Sequence, residues 1–393
     1  MRRSVLLPCL LAIGCRGGAP SQPTEPEAAV RIPTGIATEP ERARPWSLRL
    51  SDAQLRVGAL SPTDDGGLIL AGTFEGSLTT PGFGTTYANG DSDVVRLALD
   101  PAGEVVDAQT FGSDGDDTLE ALDDGLLSLR SWGRLELPGV TVEPPAPSHS
   151  YIPPVVGIVL DLSTDPPTLT ARVPDAASLA AWRLPSGDVI LAAHFDDGET
   201  RSFSRLERLA GGRALWATEF ENVEIDTVVA SDDALWVATR GQRRLAVSRV
   251  DLSSGASSSS TYEVRPGFDD LGSIVALAPN GDQAWGHTSG PPKDGMSHAA
   301  LPFVATRDTF TPLLDATAFM LDADPGTGDV LLSVLHAGAI HDGPSVAEPG
   351  VYLLEAGSPR RIAESATRGA LTPTHAVLVR DCDQALCVEA IPR

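Results

Sequence analysis

Few side chains in this 393-residue sequence stand at spacings that could do chemistry, and the acidic run Asp114-Gly115-Asp116-Asp117 comes first among them. Its carboxylates could offer oxygen to Ca²⁺. An EF-hand-like loop, however, needs further ligands and a bidentate Glu at a fixed later position, and Glu120 falls too soon. The preferred reading of Asp114, Asp116 and Asp117 is a solvated turn between repeats. The seven histidines are scattered: His336 and His341 are five apart and His287 and His298 eleven apart, neither an HExxH nor a zinc-ligand spacing. No metal or cofactor is expected. No GxSxG, SxxK or Walker A motif occurs, and no GxGxxG in a strand–turn–helix setting, so no catalytic residue is assigned. Trp46, Trp132, Trp182, Trp216, Trp236 and Trp285 could build a carbohydrate-stacking patch. Several recur at equivalent strand positions, which favours packing between repeats.

The four cysteines divide by place. The N-terminus reads MRRSVLLPCLLAIGC: Arg2 and Arg3 form a positive head, Val5–Gly14 an apolar run, and small Gly14 precedes Cys15. That run is too short to span a bilayer but suits a signal peptide over residues 1–14. Ala12-Ile13-Gly14-Cys15 resembles the lipobox of bacterial lipoproteins, which implies diacylglycerol on the Cys15 thiol and a membrane contact through that lipid. Ala12 stands where Leu is commonest. Cys9 would leave with the signal, so Cys382 and Cys387 remain as an even pair in an exported chain and read as a disulfide pinning a hairpin. Residues 16–45 carry six prolines and no apolar period, and read as a disordered tether with a reach of about 30 Å. Arg16, not Asp, follows the cysteine, and resemblance to enteric lipoprotein sorting implies the outer membrane.

Composition narrows the partners. Acidic residues number 53 against 29 basic, a net charge of −24. Without residues 1–14 the balance is 53 against 27, or −26. So negative a surface repels phosphate backbones and excludes nucleic acid as an expected partner.

The elements that must position any site come from a repeat. A Pro/Asp–polar–Gly–Asp turn followed by an apolar strand starts at Ser61, Leu122, Leu184, Ser231, Ala278, Asp324 and, more loosely, Leu371. The intervals are roughly 60 residues twice and then about 47, the range of a four-stranded propeller blade. The fourth unit predicts strands at Ile225–Ala230, Ala234–Thr239, Arg244–Asp251 and Ser258–Val264, with Ser253–Thr261 a low-complexity loop. The last unit lacks an outer strand. Trp46–Leu50 aligns without gaps with Trp216–Phe220, an outer strand, and is expected to complete that blade and close the ring. The reading is all-β: a seven-bladed β-propeller over residues 46–393, expected to be a monomer.

Within it, Gly90–Asp117, GDSDVVRLALDPAGEVVDAQTFGSDGDD, resembles the bacterial β-propeller repeat (SBBP-like) of myxobacterial-type lipoproteins. The match is close only in the first blade. It implies a propeller and no defined activity. The function expected is a non-enzymatic binding module, for a protein or glycan, tethered at the cell envelope. The alternative is a propeller enzyme, a hydrolase or lyase acting on polysaccharide or ester. Carboxylates or a His/Asp/Glu cluster converging at the central funnel would favour the enzyme.

Overall fold

Each recurring turn folds one strand back on the next. In the copy at Leu184, the Gly187 amide donates to the Leu184 carbonyl at 2.8 Å, and the Leu184 amide donates to Asp188 O at 2.8 Å. Gly187 takes φ 86°, a conformation that strains any residue with a Cβ. The strand after it, Val189–Asp196, buries Val189, Ile190, Leu191, Ala192 and Ala193 in succession. A strand covered on both faces reads as an unbroken apolar run, which is why it was visible in the sequence.

The computed structural model describes residues 44–63, 65–145, 154–196, 201–241, 244–258, 262–264, 270–290, 299–313, 316–337, 346–382 and 385–393. Among them there is no helix, and the strands form seven antiparallel meanders arranged as a β-propeller. Strands are lettered a to d from the channel outward. Blade 4 runs Val223–Ala230, Ala234–Gly241, Arg244–Asp251 and Tyr262–Val264. Its inner strand starts two residues before the expected Ile225. Ser253 and Ser254 belong instead to an ordered turn, in which Asp251 Oδ1 accepts both their amides and both their hydroxyls. The serine-rich composition thus serves the turn, not a loose loop, as far as Ser258. The other inner strands are Asp117–Asp123 (blade 2), Ser178–Arg183 (blade 3), Asp270–Leu277 (blade 5), Ala316–Asp324 (blade 6) and Arg368–Leu371 (blade 7). The two long repeat intervals also have a cause: the b–c hairpin of blade 1 extends through Ser77–Tyr87, and blade 2 inserts the hairpin Leu135–Val142.

Ring closure follows the expected route and goes further. One strand, Trp46–Pro62, serves two blades. Trp46 to Ser51 pair with Ala390 to Ala385, and Gln54 to Pro62 pair with Glu75 to Leu68. Trp46–Ser51 is therefore strand d of blade 7, and the rest of the same strand is strand a of blade 1. Leu48 and Leu50 point into the core, at about 1.5–3 kcal/mol for each fully buried leucine. Cys382 and Cys387 form the expected disulfide across the b–c hairpin of blade 7, Cα–Cα 5.9 Å.

Tryptophans seal the joints between blades. Trp216, on strand d of blade 3, packs on Gly255 in the c–d turn of blade 4, where a Cβ would stand 2.7 Å from the indole. Trp46 packs in the same way on Gly103 of blade 1, and Trp236 of blade 4 on Gly281 of blade 5. The acidic turn departs from expectation. Asp114 and Asp116 are exposed, but Asp117 is fully buried, because it opens the inner strand of blade 2 and turns inward to hold the Ser113 amide and hydroxyl.

Candidate functional site: the channel wall of blades 2 to 5

Five inner strands carry a β-bulge that leaves one residue unpaired: Gly58, Glu120, Asp226, Val275 and Leu321 in blades 1, 2, 4, 5 and 6. A bulge re-aims the side chain at that point. In blades 2 and 4 the freed residue is acidic, and it reaches the next blade. Glu120 accepts from the Leu179 amide, and Asp226 Oδ2 accepts from the Ile274 amide at 3.0 Å. Asp322 of blade 6 does the same for the Leu371 amide at 2.7 Å, and neutral Thr73 of blade 1 for the Leu119 amide at 3.0 Å. Each such bond satisfies a main-chain donor that the inner-strand edge would otherwise leave open.

Strand b presents a basic side chain at one repeating position, an arginine in blades 2 and 4 and a histidine in blades 3 and 5. Arg130, His194, Arg240 and His287 stand directly opposite Thr118, Ser178, Glu224 and Ser273 of their inner strands. Arg130 Nε lies 2.5 Å from Glu120. Arg240 bridges two carboxylates, Glu224 at 2.6 Å and Asp226 at 3.3 Å, and the Ser178 hydroxyl donates to Glu224 at 3.3 Å. Glu120, Ser178, His194, Glu224, Asp226 and Arg240 border a cavity of about 480 Å³ in the channel, reached also by Asp123 and Trp182. Trp182 is thus the tryptophan that lines a cavity large enough for a ligand.

Burial dominates the electrostatics. It pushes Asp226 up to about 6, against the pull of the Ile274 amide and Arg240. Glu120 is raised by burial too, with Arg130 opposing. Burial raises Asp123 to about 6, and Asp124 adds to the effect. Burial, with the Arg240 charge beside it, lowers His287 to about 4, so this imidazole is neutral at pH 7.

One pair has the spacing of a nucleophile and its base: His194 Nδ1 and Ser204 Oγ are 3.1 Å apart. The Ser204 hydroxyl, however, donates to the Val223 carbonyl at 2.8 Å. Its single proton is used there, so Nδ1–H must donate to Ser204, and Nε2 lies 3.4 Å from the Ser202 hydroxyl. The imidazole points a proton at the oxygen it would have to deprotonate.

Cys15, the signal region 1–14 and the tether up to residue 43 lie outside the described residues, as do His149, His298 and His341. His336 is on strand b of blade 6 and is not among the residues that line the cavity. Among the described residues no three or more His, Cys, Asp or Glu side chains group to hold a metal. Glu224, Asp226 and Arg240 were not singled out from the sequence, because the site is assembled from four blades. The signal present was the acid at the bulge, with its arginine on the following strand.

No protein-family model and no curated protein matches the chain. Solved structures do. An acylaminoacyl peptidase in complex with Z-Gly-Gly-Phe-chloromethyl ketone superposes with TM-score 0.51 at 9% identity, over 86% of this chain and 51% of that one. The Pyrococcus horikoshii acylaminoacyl peptidase gives 0.50 at 10% identity, over 84% and 50%. The chain thus spans about half the length of these peptidases. The β-propeller domain of the Trilobed protease from Pyrococcus furiosus gives 0.50 at 9% identity, over 86% of this chain and 94% of that domain. The likeness is of fold alone. That domain is described as having an open velcro topology, whereas here the first strand is paired with the last.

Proposed function

We propose that the chain is an exported lipoprotein, anchored through Cys15, whose propeller is a non-enzymatic module binding a protein or glycan partner in the channel wall of blades 2 to 5. The observation that carries this reading is the commitment of the polar wall to itself. Glu120 and Asp226 are tied to arginines and to main-chain amides of the next blade, and Ser204 is tied to Val223. Such groups build a rigid, shaped, polar recess; they leave no free nucleophile with a base aimed at it. The resemblance to envelope lipoprotein repeats supports the address, and the outer membrane is the membrane we propose. The test is capture from envelope extracts by the wild type and by Ala180→Arg, which fills the recess from the inner strand of blade 3. Loss of the captured partner in the variant supports the site; equal capture removes the channel wall from the proposal.

A second reading has one observation in its favour: Glu120, Glu224 and Asp226 do converge on one cavity, the arrangement expected of a propeller hydrolase or lyase. Asp226, held up to about 6 by burial, would be its general acid. Turnover of polysaccharide or ester substrates that disappears in Asp226→Asn, with the fold retained, would establish this reading over the first.

A further inference from the structure

The joint between blades 1 and 2 holds a polar core that the channel does not explain. Asp93, on strand c of blade 1, is 2% exposed, and Asp117, at the start of blade 2, is 0% exposed. They flank the same peptide. A Cβ on Gly112 would collide with the Asp93 carboxylate, and the next amide, Ser113 N–H, donates to Asp117 Oδ2 at 2.6 Å. Buried Ser92, Ser113 and Ser131 surround them. The Ser92 hydroxyl donates to the Asp117 carbonyl at 3.1 Å.

Half of each carboxylate is accounted for. Asp93 Oδ2 takes the Asn89 amide at 3.1 Å, and Asp117 Oδ2 takes the Ser113 amide and hydroxyl. Oδ1 of both residues is buried and makes no well-formed hydrogen bond, although the Gly90 amide also favours the charged form of Asp93. The Ser131 hydroxyl also favours the charged form of Asp117, but it is shared with the Gly133 carbonyl at 3.2 Å. Burial raises both carboxyls, and the Asp93 charge raises Asp117 further, to about 6. No cationic side chain among the described residues offsets either one. Two buried carboxylates so placed are costly unless a positive charge lies between them.

We propose that this joint binds one hard divalent cation, held by Asp93 Oδ1 and Asp117 Oδ1 together with main-chain and hydroxyl oxygens of the same turn and with water. Oxygen-only ligation at a flexible coordination number is the chemistry of Ca²⁺. Of the acidic run read along the sequence, only Asp117 takes part. Asp114 Oδ1 is spent on the Arg134 amide at 2.7 Å, and Asp116 is exposed. The second ligand instead comes from the preceding blade, so the ion would join two blades.

The test uses the full-length protein, with Ca²⁺ as the probe. Equilibrium dialysis should find one Ca²⁺ per chain, and millimolar Ca²⁺ should raise the melting temperature by several degrees over chelator. Asp93→Asn should abolish both effects, whereas Asp114→Asn and Asp116→Asn should retain them. Should Asp93→Asn not fold, Asp93→Ser takes its place, and dialysis of the wild type still decides. No bound Ca²⁺, or an equal thermal shift in Asp93→Asn, overturns the proposal. So does a wild type insensitive to Ca²⁺ and stabilised only by acidification, which would mean that the two carboxyls share a proton.

Discussion

The indole of Trp46 and the α-carbon of Gly103 are packed so closely that no side chain fits between them. Trp46 lies 57 residues before Gly103 and belongs to the opposite end of the ring, on the outer strand of blade 7. The contact repeats the one that joins Trp216 of blade 3 to Gly255 of blade 4, so the closing joint is built like an ordinary internal one.

Gly103→Val should therefore damage ring closure. Gly103 has φ 85°, and the new side chain would meet both that backbone strain and the indole. A loss of about 2–4 kcal/mol is expected from overpacking and left-handed backbone strain together. Gly82→Val, at φ 80° in open space, should cost less. Denaturant unfolding of both variants checks this; equal losses would show that the tryptophan contact adds nothing.

Truncation probes the same joint from the chain. Deleting residues 16–40 should leave the melting temperature unchanged, because the paired strand begins at Trp46. Deleting residues 16–52 removes that strand and bares the edge of Ala385–Pro392. The melting temperature should fall by many degrees and aggregation through the edge should follow. Differential scanning calorimetry of the two truncations decides, and equal stability contradicts the closure.

Acidification should first stabilise the fold. Burial holds Asp117, Asp123, Asp226 and Asp322 up to about 6, so each binds its proton more tightly in the folded chain than in the unfolded one. That contribution is full below the unfolded value of 3.8 and is lost as pH rises through about 6. Melting in chelator should therefore be higher near pH 5 than near pH 7.5, roughly the window these carboxyls span. Asp226→Asn keeps an acceptor for the Ile274 amide and should flatten the rise. A steady fall in melting temperature from pH 7 to 5 would contradict the assignment.

Asp226→Ala is the harsher change. It orphans the buried Ile274 amide and removes one of the two carboxylates on Arg240, for about 2–4 kcal/mol. Comparing the Asn and Ala variants by urea unfolding separates the amide bond from the charge.

The disulfide closes a short loop, and reduction should cost about 2–3 kcal/mol at most. The loss should concentrate on fraying of blade 7, measured by amide exchange over His375–Cys382 and Ala385–Pro392. Folded, exported protein should present neither Cys382 nor Cys387 to a thiol reagent.

The architecture was legible because it repeats. A polar turn and a doubly covered strand leave a similar mark seven times, with glycine in most of the turns, and Trp46 could be placed on Trp216 without a gap. The channel wall was not legible in the same way. Glu120 was considered only as a calcium ligand, because its partners Arg130 and the Leu179 amide are chosen by a bulge and by the neighbouring blade, neither of which has a local period. Asp117 was read as solvated for a related reason: nothing in GSDGDD tells which aspartate begins the strand and turns inward.

The strand Trp46–Pro62 also sets an order of events during synthesis. Its second half finds its partner, Leu68–Thr80, almost as soon as both emerge, but Trp46–Ser51 must wait for Ala385–Ala390, more than 330 residues later. For most of translation, the chain therefore carries an open edge with Leu48 and Leu50 uncovered. Contacts so distant along the chain form slowly, and an edge that waits is available to other chains. Strand Ala385–Pro392 thus decides when the protein stops being vulnerable, so a ribosome stalled shortly before Ala385 would hold it at its most aggregation-prone.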